Sequence, residues 1–215
     1  LETPEGCVGN GIVSEYVPGR IVISLDGKTT YDSGDYAKGE SGMRIKIRGN
    51  TSGMLLDQKP YKIKLSKKAD LLNRGIKDCK DKNWALLSWN TMKGLFTNDK
   101  SNILPLVGLA VCRFLGQTWT PAITPANVVM NGNYKGLYYL VETVERSDRR
   151  VAVSKSGFLI ENDAYWWKPG ETFFKTLHQA RHMGYTFKYP DPDEVTENEI
   201  DAVHRYMEKA EEAIF

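Results

Sequence analysis

The run Arg48-Gly49-Asn50-Thr51-Ser52-Gly53 sets small and hydroxyl-bearing residues beside a cation. Phosphate oxygens are held where several backbone N–H groups converge, and glycines let the main chain come close enough for that. A flanking guanidinium adds the charge that phosphate needs. Lys62 and Lys64 follow in a segment whose alternation puts both on one side, so either could reach the phosphates of a nucleotide. Their spacing does not choose between them. The competing reading is a solvated basic face with a mobile loop, because the run is neither a P-loop nor a GxGxxG. Glu142 and Glu161 close two apolar runs, Tyr138–Val141 and Phe158–Ile160. A carboxylate there is costly unless paired, so each is a candidate partner for a buried cation or else a strand end already in water.

Other reactive types are less suggestive. His178 and His182 have the spacing of a helical metal pair, but Gln179 stands where a zinc protease carries Glu and no third ligand is evident. Tyr165-Trp166-Trp167 could stack on a sugar or base, or simply pack as a loop. Cys7, Cys79 and Cys112 form neither a CxxC pair nor a zinc spacing; they read as buried or spare thiols, with one disulfide as the alternative. No nucleophile elbow supports a serine hydrolase.

The elements that must hold these residues are mostly strands. Arg20–Asp26 alternates and ends in Asp26-Gly27, a hairpin turn. Gly42–Arg48 alternates strictly, with Ile45 and Ile47 opposite Arg44, Lys46 and Arg48. Tyr61–Leu65 repeats the pattern, with Tyr61, Ile63 and Leu65 inward and both lysines outward. Ile103–Leu115 is apolar nearly all round and predicts a buried helix stopping at Gly116. Ala126–Met130, the turn Asn131-Gly132-Asn133 and Tyr134–Val144 predict a second hairpin, and Gly157–Glu161 a further strand. From Thr196 a capping box with Glu199 opens a final helix with the stripe Ile200, Val203, Met207, Ala210, Ile214. The class is therefore α+β, built on a mainly antiparallel sheet.

Composition bounds the function. Of 215 residues, 41% are hydrophobic and 26% charged, and 29 Lys plus Arg against 27 Asp plus Glu leave a net charge of +2. That balance gives no global attraction to nucleic acid or anionic membrane, so any anion site must be local. No apolar run is long enough to cross a bilayer as a helix.

In this order the motifs resemble the CotH (spore-coat protein H) kinase family. The resemblance is carried by Arg44–Ser52, Lys59–Leu65, Lys82–Leu87, Leu115-Gly116, Asn131–Tyr138, Glu142, Arg150-Val151 and Gly157–Glu161, roughly residues 42–163. It implies an atypical protein-kinase-like α+β fold with a buried helix, an irregular lead-in over residues 1–19 and the kinase-like domain over 20–215. It also implies ATP-dependent phosphorylation of Ser or Thr in an extracytoplasmic protein, secreted or at the cell surface, such as a spore coat protein. ATP and Mg²⁺ would be the cofactors and a protein the partner, with no role for nucleic acid. Arg48, Gly49, Asn50, Thr51 and Ser52 would cover the phosphates, Lys62 or Lys64 would reach them, and Glu142 would lie near the base or the ion-pair position.

Two departures from the family pattern shape the expectation. The Arg-Asn pair that usually follows the Asp-Lys-Ser stretch is missing after Asp99-Lys100-Ser101, and the apolar helix has no Glu. The family's aspartates for proton acceptance and Mg²⁺ lie in a later segment. The expectation is thus a domain incomplete at its C-terminus, without catalytic or metal-binding residues and inactive as it stands. The helix that ends on Ile214-Phe215 without a stop signal prompts the same expectation of a C-terminal lobe beyond it. The alternative is a catalytically inactive binding or structural module of the cell envelope, with glycan as a candidate ligand.

Overall fold

Period-two runs separated by glycine turns make strands, not helices, the main regular structure of the described residues before Glu145. The computed structural model describes residues 1–3, 15–49, 51–76, 79–88 and 103–215. They divide into two units, Leu1–Val144 and Glu145–Phe215.

The first unit contains β1 (Val17–Gly19), β2 (Val22–Leu25), β3 (Lys28–Asp32), β4 (Met43–Ile47), β5 (Tyr61–Ala69), β6 (Asp81–Ser88), β7 (Ile123–Met130) and β8 (Asn133–Glu142), with helices α1 (Thr51–Leu55) and α2 (Leu104–Phe114). Six strands form one antiparallel sheet in the order β1-β4-β5-β6-β8-β7, and β2 and β3 form a separate hairpin. Asp26 and Gly27 turn that hairpin with φ of 50° and 75°, as a two-residue turn of this hand requires.

Alternation fixes which sheet face is core. Met43, Ile45, Ile63, Leu65, Trp84, Leu86, Tyr138 and Leu140 are all buried on one side. Each such side chain removed from water contributes about 1.5–3 kcal/mol. A register slip by one residue on β4 or β5 would exchange these residues for Arg and Lys, so the pairing is strongly specified.

Three expectations need correction. The lead-in is not irregular to its end, because Val17–Gly19 is the edge strand β1, paired with Met43–Ile45. Helix α2 is present, but none of its residues is buried. A helix apolar on every side cannot cover all its residues against one surface, and here Leu104, Val107, Val111 and Phe114 remain exposed. The segment between β4 and β5 is not simply a loop, since it includes the single turn α1.

The second unit holds β9 (Leu159–Asp163), β10 (Phe173–Phe174), β11 (Gly184–Tyr189) and α3 (Glu197–Glu212), with the strands in the order β10-β11-β9. Phe187 meets Phe158 edge-on at 6.0 Å and Phe174 at 5.8 Å, forming a small aromatic core. The expected capping box opens α3: Glu199 N–H donates to Thr196 Oγ1 and Thr196 N–H to Glu199 Oε2. Near the other end of α3, Glu211 is buried and accepts from Thr176 Oγ1 at 2.6 Å and His178 N at 3.3 Å. Phe215 stacks on the His178 ring at 4.9 Å. No helix among the described residues is long and apolar enough to cross a membrane.

Candidate functional site

The basic side chains converge because β4 and β5 are antiparallel neighbours. Arg44 lies opposite Lys64 and Lys46 opposite Lys62. Cross-strand partners share a face, so the four cations form a square on the side away from Met43, Ile45, Ile63 and Leu65. Placing like charges side by side is unfavourable unless counter-charge or polarisable groups offset it. One offsetting group is the Tyr16 ring, 5.3 Å from the Arg44 guanidinium carbon and 4.9 Å from Lys46 Nζ. The next strand distinguishes the two lysines. Lys62 stands opposite Ala85, which is buried, and Lys64 opposite Asn83.

The small-residue run lies where β4 ends. Gly49 has φ 82°, and a Cβ there would collide with Ser52 Oγ, so the turn into α1 needs glycine at this position. Gly53 is buried, with Arg48 O 3.0 Å from where its Cβ would be. Arg48 N–H donates to Pro60 O at 3.0 Å, closing the neck of the segment. Asn50 and the Thr51 side chain lie outside the described residues. The far end of the segment is clipped to another strand. Gln58 Nε2 donates to Lys135 O at 3.1 Å and Leu137 O at 2.9 Å, and Ser88 Oγ donates to Gln58 Oε1 at 2.8 Å. Gly136 makes room for this clip: its φ is 99°, and a Cβ would sit 2.9 Å from Gln58 Nε2.

Glu142 is not on the lysine face. It stands opposite Trp84, which stands opposite Ile63, so its side chain belongs to the core side. Glu142 Oε2 accepts the Ala122 N–H at 2.8 Å and Oε1 accepts Arg74 Nη2 at 3.0 Å. Arg74 also donates from Nε and Nη2 to Asp70 Oδ1 at 3.1 and 3.0 Å. Burial pulls the Arg74 pKa down, but the hydrogen bonds to Glu142 and Asp70 outweigh it and leave the guanidinium still harder to deprotonate. Glu142, expected near the base or the ion-pair position, is held in a strand lock, in which one guanidinium bridges two buried carboxylates. Sequence reading missed Arg74 and Tyr16. The Asp70–Arg74 spacing of opposite charges was the available signal, whereas Tyr16 stands in a segment without periodicity.

The remaining candidates separate. Glu161 in β9 lies with Asp163 and Glu171 around Lys188 Nζ, at 3.7, 3.8 and 3.1 Å, so it pairs with a cation of its own unit. His178 and His182 are not on a helix. Trp166 packs against Gly184, Phe173 and Lys175, while Trp167 is 61% exposed. Cys79 and Cys112 are thiols, and Cys7 lies outside the described residues. Among the described residues, no three His, Cys, Asp or Glu side chains come together as a metal site.

The family model for the CotH kinase protein matches residues 45–214. The chain belongs to the CotH kinase protein family. The match starts in β4 and runs past α3, so both units carry CotH sequence, and it extends past residue 163, where the motifs end. No curated protein matches the chain. In CotH terms, Lys46, Lys62 and Lys64 of the basic square, the Gly49 turn and the Gln58 clip fall inside the matched region, and Arg44 lies one residue before it.

Proposed function

We propose that this chain is the nucleotide-binding part of an atypical extracytoplasmic Ser/Thr protein kinase, with a protein as substrate. In this reading the face carrying Arg44, Lys46, Lys62 and Lys64 takes the phosphates of ATP. What supports it is the square of four cations on adjacent strands, next to the Gly49 turn, in a chain of the CotH kinase protein family. The donor set fits polyphosphate: ammonium and guanidinium groups supply charge without needing deprotonation. Lys62, opposite the buried Ala85 of β6, is the lysine assigned to the phosphates, and Lys64 with Arg44 supplies the outer charge. In this reading the segment Arg48-Gly49-Asn50-Thr51-Ser52 covers the phosphates, as the family resemblance implies. Glu142 enters this reading as the lock at the end of β8, not as a nucleotide contact.

Bound Mg²⁺ would neutralise the phosphate charge that builds up during transfer. The described residues do not fit it. Asp70 and Glu142 are committed to Arg74, and Glu161, Asp163 and Glu171 to Lys188. No step is therefore assigned through the metal, and residues 1–215 alone are expected to transfer no phosphate. Incubation with labelled ATP, Mg²⁺ or Mn²⁺ and generic protein substrates should give background incorporation. Transfer above background, abolished by replacing an acidic residue of this chain, would overturn that part of the reading.

A further inference from the structure

Edge strand β1 brings an aromatic ring to the cation face of the sheet. Val17 lies opposite Ile45 and packs against the core, and Pro18 lies opposite Arg44. Side chains alternate along a strand, so Tyr16, one residue before Val17, belongs to the side away from the core, at the level of Lys46. The contacts agree with that parity. The Tyr16 ring centroid is 4.9 Å from Lys46 Nζ and 5.3 Å from the Arg44 guanidinium carbon. One ring therefore holds both cations that β4 contributes to the square.

A ring over a cation could shield it from an anion or hold it ready for one. Attraction to the π face acts on the charge as a whole and consumes no N–H. Lys46 thus keeps its ammonium donors and Arg44 its guanidinium fork, which are the groups that a phosphate engages. Ring and phosphate are therefore compatible partners rather than rivals. What a mobile Lys or Arg gives up on binding is rotamer freedom, and these two types have more of it than most side chains. A ring that already confines both heads reduces that loss, which is how a preorganised site gains affinity. Arg44 and Lys46 are also like charges on one face of one strand, and the negative face of the ring offsets part of their repulsion.

We propose that Tyr16 is a positioning residue of the phosphate site, whose ring holds Arg44 and Lys46 ready for a polyphosphate. The inference rests on the nucleotide reading above, and it adds β1 to a site otherwise built from β4, β5 and the segment between them. The role needs an aromatic face at residue 16 and does not need the hydroxyl.

The probes are sodium tripolyphosphate, which offers phosphates without a base, and ATP, each titrated calorimetrically into the 215-residue chain. Tyr16→Phe should bind both within about twofold of wild type, since the π face and not the hydroxyl makes the contact. Tyr16→Leu should bind both about fivefold more weakly, because two long side chains must then be ordered afresh on binding. Circular dichroism checks that both variants fold. In the wild-type chain the ring should also shift the Lys46 ε-methylene protons upfield, and this NMR shift should persist when tripolyphosphate saturates the site. That measurement needs no variant and decides the matter if Tyr16→Leu fails to fold. Return of the Lys46 protons to ordinary values in the complex, or tighter binding by Tyr16→Leu, would mean that the ring shields the cations, and would overturn the proposal. Equal affinity of wild type and Tyr16→Leu overturns it as well. The double variant Lys62→Met with Lys64→Met tells this failure from failure of the nucleotide reading. Weakened binding there leaves the nucleotide reading standing while the role of Tyr16 falls, whereas unchanged binding removes both.

Discussion

Replacing Arg74 with Met should destabilise the first unit by about 2–4 kcal/mol. The side chain is 23% exposed, while the carboxylates it bridges, Asp70 and Glu142, are 7% and 5% exposed. Removing one member of a fully buried ion pair costs about 3–5 kcal/mol, because the remaining charge is left in a poor solvent. Partial exposure of Arg74 lets water screen part of that, which lowers the range. Glu142 keeps the Ala122 N–H and Asp70 keeps the Leu72 and Arg74 amides, so neither carboxylate is wholly abandoned. Urea unfolding read by circular dichroism gives the loss as a shift in midpoint at constant slope. The double variant Arg74→Met with Glu142→Gln should recover part of the loss, because the second change removes the stranded charge. A coupling of about 0.5–3 kcal/mol is expected for groups in one network. A loss below about 1 kcal/mol, or strictly additive effects, would show that the three groups do not act as a lock.

Gly136→Ala should cost about 2 kcal/mol, since it forces a side chain into positive φ and displaces the Gln58 amide from two carbonyl partners; thermal unfolding against Gln58→Ala measures it. The β2–β3 hairpin should lose its pairing with Arg20 in acid. The Arg20 guanidinium, and then the Gly34 N–H, hold the Asp32 carboxyl at about 2, below the ordinary 3.8. A depressed carboxylate stabilises the fold above its ordinary pKa, and that contribution fades as pH falls from about 4 to about 2. An Asp32→Asn variant compared with wild type across that window should show a difference at pH 6 that disappears by pH 2.

Where periodicity ruled, the fold was legible. The strict alternation of Gly42–Arg48 and Tyr61–Leu65 gave both strands and their inner faces. Asp26-Gly27 and Asn131-Gly132 marked the two hairpins, and Thr196 with Glu199 the last helix. Alternation also foretold that Arg44, Lys46, Lys62 and Lys64 would share one side. It could not say that the strands pair in the register that makes a square, since that is fixed by long-range contacts. Ile103–Leu115 illustrates the opposite limit: apolar composition makes a helix want burial but does not supply the surface that buries it. Glu142 was read as a partner for a buried lysine or arginine, or else a strand end in water. Face parity excludes Lys62 and Lys64, and the partner came from an aperiodic loop where only the i,i+4 spacing of Asp70 and Arg74 was a clue.

The central claim is that the β4–β5 cations hold the phosphates of ATP. Isothermal titration of the 215-residue chain with ATP, beside the double variant Lys62→Met with Lys64→Met, tests it most directly. A charge-assisted contact contributes about 1.5–3 kcal/mol, so losing even one should weaken ATP binding by at least tenfold. Adenosine, which lacks phosphates, should bind both proteins alike. Unchanged ATP affinity in a double variant that unfolds at the wild-type temperature would contradict the account and return these lysines to the role of a solvated sheet face.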